Sequence, residues 1–212
     1  LRVTENAATA NGWRIQGTSA VAQQLGVDVV CVAASPSTDV KDAFDGVLGY
    51  VQFAGGRLGA DTGQATTTLT CPNAEPGRVA LSGGYSDATG EVVVSRPEAF
   101  GWVLSLRAAA GGEANGQVTC ALGSNNADIA VAAGGVGWIT AVSADVKVDP
   151  GKVGSGLAAC PEGSHLVGGG YELEDGTLAA VATAPTDGGW EARAVNRGTA
   201  PGIVRARAVC AV

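Results

Sequence analysis

Five cysteines carry the first chemical signal. Cys31, Cys71, Cys120, Cys160 and Cys210 stand at intervals of 40, 49, 40 and 50 residues. A cysteine can act as nucleophile, metal ligand or half of a disulfide, and spacing separates these uses. No two are arranged as C-x-x-C, so neither a zinc knuckle nor a thioredoxin-like redox pair is indicated. The alternation reads instead as one pair per recurring unit, Cys71 with Cys120 and Cys160 with Cys210, leaving Cys31 over. Paired structural cysteines belong to an oxidising compartment, so a secreted, extracellular protein is expected, its signal peptide already removed.

Other reactive chemistry is sparse. The single histidine, His165 in "GSHLVG", has Val79 or Arg78 as its counterpart in the preceding unit and reads as a strand-edge residue. There is no G-x-S-x-G, no H-E-x-x-H and no cysteine–histidine nucleophile pair. Asp39, Asp42 and Asp45 cluster at the spacing of a solvated link. A glycosidase needs two opposed carboxylates about 5–9 Å apart, and no acid pair recurs in both units. Asp87, Glu91, Glu172 and Asp175 fall at hairpin tips without the dense alternating oxygens of a calcium loop. "GGGY" (168–171) lacks the Lys-Ser/Thr of a phosphate cradle. The expectation is a protein that is not an enzyme and has no cofactor or metal. Trp13, Trp102, Trp190, Tyr85 and Tyr171 are the candidates for stacking on a glycan; against this, one Trp per unit at a fixed place is the mark of a core anchor.

Composition limits the partners. The net charge of −7 argues against a basic face for nucleic acid. No run reaches the roughly 18 apolar residues of a membrane-spanning helix. Charged residues make up 16%, Gly and Pro are abundant at 33 and 8, and Ala, Val and Thr supply much of the rest. That palette favours short strands joined by frequent turns.

The elements that would hold these residues repeat. Trp13, Trp102 and Trp190, each after a glycine, are 89 and 88 residues apart. Cys31, Cys120 and Cys210 sit in "VVCVA", "VTCAL" and "AVCAV"; Cys71 and Cys160 are each followed by Pro. Tyr50 in "GVLGYV" answers Trp138 in "GVGWIT", "GADTGQ" answers "VDPGK", and "SGGY" answers "GGGY". A unit of about 89 residues therefore runs from an aromatic through a strand, a D-x-G turn, a strand ending at Cys-Pro, a strand into the glycines, a hairpin, Gly-Trp, and a last strand bearing the second cysteine. The expected fold is all-β: tandem disulfide-stapled small β-sandwich-like repeats of seven or eight strands each. A short helical link is conceivable only at 35–47. In "GGGY" the glycines allow a bulge or close backbone approach, with the tyrosine covering the gap.

The units divide the chain into residues 32–121 and 122–212, each complete, and residues 1–31, which match only the later part of a unit. Cys31 thus lacks a partner in its own unit. Three explanations stand open: an upstream segment, a second molecule that supplies strands and sulfur, or a free thiol on a packed stub.

The combined pattern resembles a module of secreted bacterial, particularly actinobacterial, proteins. The matching residues in the last unit are Gly137-Trp138, "VDPGKVGSG", "CPEG", "GGGY", "PTDGGW" and "AVCAV"; the middle unit offers "SGGY", "PEAFGW" and "VTCAL". The resemblance implies an extracellular appendage, of the kind found after collagen-like stalks or at fibre ends, and no catalytic residues. The function expected is that of a structural or adhesive protein of a fibre, surface layer or multi-protein particle, with other protein subunits as partners, either by self-assembly or as a heterologous partner joined through residues 1–31. The alternatives are a carbohydrate-binding module and a subunit of a secreted toxin or phage-like particle.

Overall fold

The computed structural model describes residues 2–9, 12–22, 24, 26–27, 51–71, 79–98, 100–121, 138–174 and 177–211. Cys31, Tyr50, Asp39, Asp42, Asp45, Asp175 and the link at 35–47 lie outside the described residues. Fifteen strands are formed among the described residues: β1 (Arg2–Thr9), β2 (Gly12–Thr18), β3 (Val51–Ala60), β4 (Gly63–Thr70), β5 (Val79–Ser86), β6 (Glu91–Glu98), β7 (Gly101–Ala108), β8 (Gly112–Ala121), β9 (Trp138–Val142), β10 (Val146–Val148), β11 (Val153–Ala159), β12 (His165–Glu174), β13 (Leu178–Thr186), β14 (Gly189–Asn196) and β15 (Gly202–Ala211). No helix occurs among the described residues, and every strand pairing is antiparallel, so the fold is all-β.

Local chemistry explains the strand breaks. The D-x-G turns work as their sequence suggests, with Gly63 at φ 84° and Gly151 at φ 72°, a region in which a β-carbon is strained. In "DATG" the residue with positive φ is Asp87, at 53°; a short polar side chain tolerates it. β4 and β11 stop directly before Cys71 and Cys160. Along β15, Val204, Ala206 and Ala208 are buried, while Arg205 and Arg207 between them are partly exposed. Such alternation gives a sheet one dry and one wet face.

The strands make three sheets, ordered β2-β1-β5-β8-β3, β10-β15-β12-β6-β7-β4 with β9 also on β15, and β11-β14-β13. Two arrangements recur within them. β3·β8·β5 is matched by β9 and β10 on β15, followed by β12; β4·β7·β6 is matched by β11·β14·β13. The sheets also run on from one cysteine-bounded stretch into another. Tyr85 of β5 stands opposite Asn6 of β1, and Tyr171 of β12 stands opposite Ser95 of β6. Strand pairing thus crosses both expected boundaries, 31/32 and 121/122. Among the described residues, six strands lie in 51–121 and seven in 138–211.

Two disulfides, Cys71–Cys120 and Cys160–Cys210, each span a Cα–Cα distance of 5.8 Å. Each ties the end of one sheet to the interior of another, β4 to β8 and β11 to β15. The main core includes Val93, Leu104, Leu106, Val148, Leu178, Val204 and both Tyr85 and Tyr171. A second cluster, Leu69, Cys71, Ala80, Trp102, Val118 and Cys120, surrounds the first disulfide.

Candidate functional site

Three hairpins, β1–β2, β6–β7 and β13–β14, carry the same polar contact. In each, an indole Nε1–H donates to a small polar side chain seven residues earlier: Trp13 to Asn6 (2.6 Å), Trp102 to Ser95 (2.9 Å) and Trp190 to Thr183 (2.7 Å). The three hairpins also share a register shift, located between Val3 and Glu5, Val92 and Val94, and Ala180 and Ala182. The skipped residue, Thr4, Val93 or Val181, lies two before the indole's acceptor. A bulge adds twist and re-aims the side chains beyond it. The acceptors had a signal in the sequence, a short polar residue seven before Trp13, Trp102 and Trp190, which the spacing of the tryptophans alone does not reveal.

The glycines have two separate tasks. A β-carbon on Gly83 would overlap the Trp102 ring, and one on Gly169 the Trp190 ring. A β-carbon on the next glycine would strike the neighbouring hairpin: Gly84 the Asn6 carbonyl, Gly170 the Ser95 carbonyl. The glycines before Trp102 and Trp190 are constrained as well, since Gly101 abuts the Leu69 carbonyl and Gly189 that of Ala158. Close backbone approach is therefore the reason for the run. The ring that meets a glycine is the tryptophan. The tyrosines turn inward instead: Tyr171 donates to the Val92 carbonyl at 3.1 Å, and Tyr85 and Tyr171 interact through their hydroxyls. Burial pushes the Tyr85 phenol up to about 12 and raises that of Tyr171 well above its ordinary value.

The remaining candidates are engaged elsewhere. Trp102, at 1% exposure, and Tyr85 and Tyr171 are buried, with too little accessible surface for a sugar to stack on; Trp13 and Trp190 are half-buried. Asp87 accepts from Ser86 and Asn115, and Glu91 accepts from Arg107 at 2.8 Å. Glu172 faces three guanidinium groups, those of Arg96 (3.2 Å), Arg205 (3.3 Å) and Arg207 (3.0 Å). Arg205 also holds Asp145 and Glu174, and its hydrogen bond keeps the Asp145 carboxyl below the usual carboxylate range. Since Arg96 is on β6 and Glu172 on β12, this network fastens the seam between the two strands. His165 is exposed at the start of β12. Among the described residues, no three His, Cys, Asp or Glu side chains gather as a metal set.

Between the hairpins and the two glycine strands lies a cavity of about 1370 Å³. Trp13, Trp190, Thr183, Tyr85 and Tyr171 are among its walls. That exceeds the roughly 300–1,000 Å³ of sites that enclose a small molecule. Its polar groups are dispersed, and Ser95 Oγ and Glu91 are already bonded to Trp102 and Arg107. Comparison of the chain with family models, with curated proteins and with solved structures gave no match.

Proposed function

We propose that this protein is a non-enzymatic structural protein of tandem β-repeats, acting outside the cell as part of a fibre, surface layer or multi-protein particle. The observation that carries this reading is the shared seam. The Gly-Gly-Tyr strand of one unit adds to the hairpin of the unit before it, at Asn6–Tyr85 and again at Ser95–Tyr171. A unit built this way completes its neighbour's sheet, so the same contact that joins units within a chain suits joining units between chains. Main-chain pairing supplies the affinity of such strand addition, and the glycines and the tyrosine set its register. Two disulfides suit an oxidising compartment, and the resemblance to appendage modules of secreted bacterial proteins points the same way. Residues 1–31, with the unmatched Cys31, are the segment through which a further subunit would join.

The test is the size and composition of the protein in its native source under non-reducing conditions. A stable multi-chain assembly supports the reading; a lone chain that binds nothing opposes it. A second reading, carbohydrate binding, draws on the half-buried Trp13 and Trp190 at the cavity. Glycan-array binding that disappears in Trp190→Ala would favour it.

A further inference from the structure

The outer edge of β13 is where the repeated pairing stops. β1 and β6 each lie between a hairpin partner and a glycine strand: β1 between β2 and β5, β6 between β7 and β12. β13 holds the same place in its own hairpin, with the same bulge and the same indole contact at Thr183, yet among the described residues it pairs only with β14. The consequence appears at the bulge residue: Val93 of β6 is 1% exposed, Val181 of β13 is 47% exposed. β13 reads Leu-Ala-Ala-Val-Ala-Thr-Ala-Pro-Thr, without one charge along its length. Uncharged, apolar sheet edges are the ones that recruit another strand.

The behaviour of β5 and β12 identifies that strand. Each touches two things at once, through consecutive glycines: the tryptophan of its own unit and the acceptor-bearing strand of the neighbouring hairpin. Gly83 and Gly84 serve Trp102 and Asn6; Gly169 and Gly170 serve Trp190 and Ser95. By the same rule, a third strand would serve Trp13 and Thr183. These two residues lie on different hairpins and are 170 positions apart, yet both line the same cavity. The two glycine strands among the described residues are already committed.

We propose that the β13 edge, together with the Trp13 face of the cavity, is an acceptor site for a Gly-Gly-aromatic β-strand from another polypeptide, its aromatic residue opposite Thr183. This rests on the assembly reading above and names the contact through which assembly occurs.

The probe is a synthetic peptide of the β12 sequence, HLVGGGYELE, added to the intact chain while backbone hydrogen exchange is followed. Expected is saturable slowing of exchange in β13, about 100-fold when free peptide is 100 times its Kd, with no comparable slowing at β3, β4 or β11. A peptide with valine in place of its second and third glycines should give none. The proposal is overturned if the peptide leaves β13 unchanged, if the valine peptide protects equally, or if all edges are protected alike. It is also overturned if β13 is protected without peptide in a dimer of this chain, or in a single native chain. If the peptide fails while the native protein is still found in a multi-chain assembly, the contact is wrong and the functional reading stands. If the peptide protects β13 while the native protein is solitary, the reverse holds.

Discussion

Gly83 and Gly84, like Gly169 and Gly170, are placed where side chains cannot be, one against an indole and one against a neighbouring backbone. A backbone neighbour cannot rotate away, so Gly170→Val should cost about 3 kcal/mol, the upper end of typical overpacking. Gly59→Ala, where a β-carbon meets nothing within 4 Å, should stay within about 0.5 kcal/mol. Urea unfolding of the two variants measures both. The buried tyrosines give a pH signature. Tyr85, with its phenol at about 12 against an ordinary 10.0, keeps its proton in the folded state where the unfolded chain loses it. The stability this supplies is complete below pH 10 and falls as pH rises towards 12. The urea midpoint should therefore drop across that window, and Tyr85→Phe should flatten the drop. Tyr171, raised for the same reason, should act in the same direction.

At the scale of elements, the three hairpins form an internal series. Removing the indole's acceptor leaves an N–H without a partner, at a cost of about 1–3 kcal/mol when no water can reach it. Ser95→Ala should cost most, because Trp102 is fully buried, and Asn6→Ala least, because the half-buried Trp13 can turn to solvent. Thermal or urea unfolding of Asn6→Ala, Ser95→Ala and Thr183→Val reads the order directly; equal losses would contradict it. The β6·β12 seam has its own marker in Glu172. Replacing it by Gln leaves Arg96, Arg205 and Arg207 facing a neutral amide. A loss of about 2 kcal/mol is expected, with the stability gap narrowing at high salt.

Much of this level was legible in the sequence, for identifiable reasons. The disulfides, the D-x-G turns and the close approach of the glycines are local or periodic, and spacing reports such features. Ser95 and Thr183 are equally local, but a lone hydroxyl in a strand is common and does not stand out until its indole partner is seen. The inward turn of Tyr85 and Tyr171 was not legible, nor was the pairing of β5 with β1 and β12 with β6. Those contacts are fixed by packing between segments about 80 residues apart, and no nearby residue encodes them. The same holds for the Glu172 network, whose members come from three strands.

For the whole molecule, the disulfides act as staples between sheets. Each closes a loop of 49 or 50 residues, which in the chain-entropy picture stabilises by about 4 kcal/mol. Replacing either pair by alanine should give similar losses in urea, and replacing both should leave the chain largely unfolded at about 37 °C. Nearly equal effects are expected because the two bridges occupy equivalent places, β4 to β8 and β11 to β15. Joined across seams rather than closed unit by unit, the sheets make a body whose last hairpin still presents an uncharged edge. In the function proposed above, such edges and unmatched segments serve assembly. Its most direct test is non-reducing peptide mapping and sizing of the protein from its native source. Expected are Cys71–Cys120 and Cys160–Cys210 intact, with the chain held in a larger assembly and Cys31 bonded outside residues 1–212. A solitary chain with Cys31 as a free thiol would contradict it.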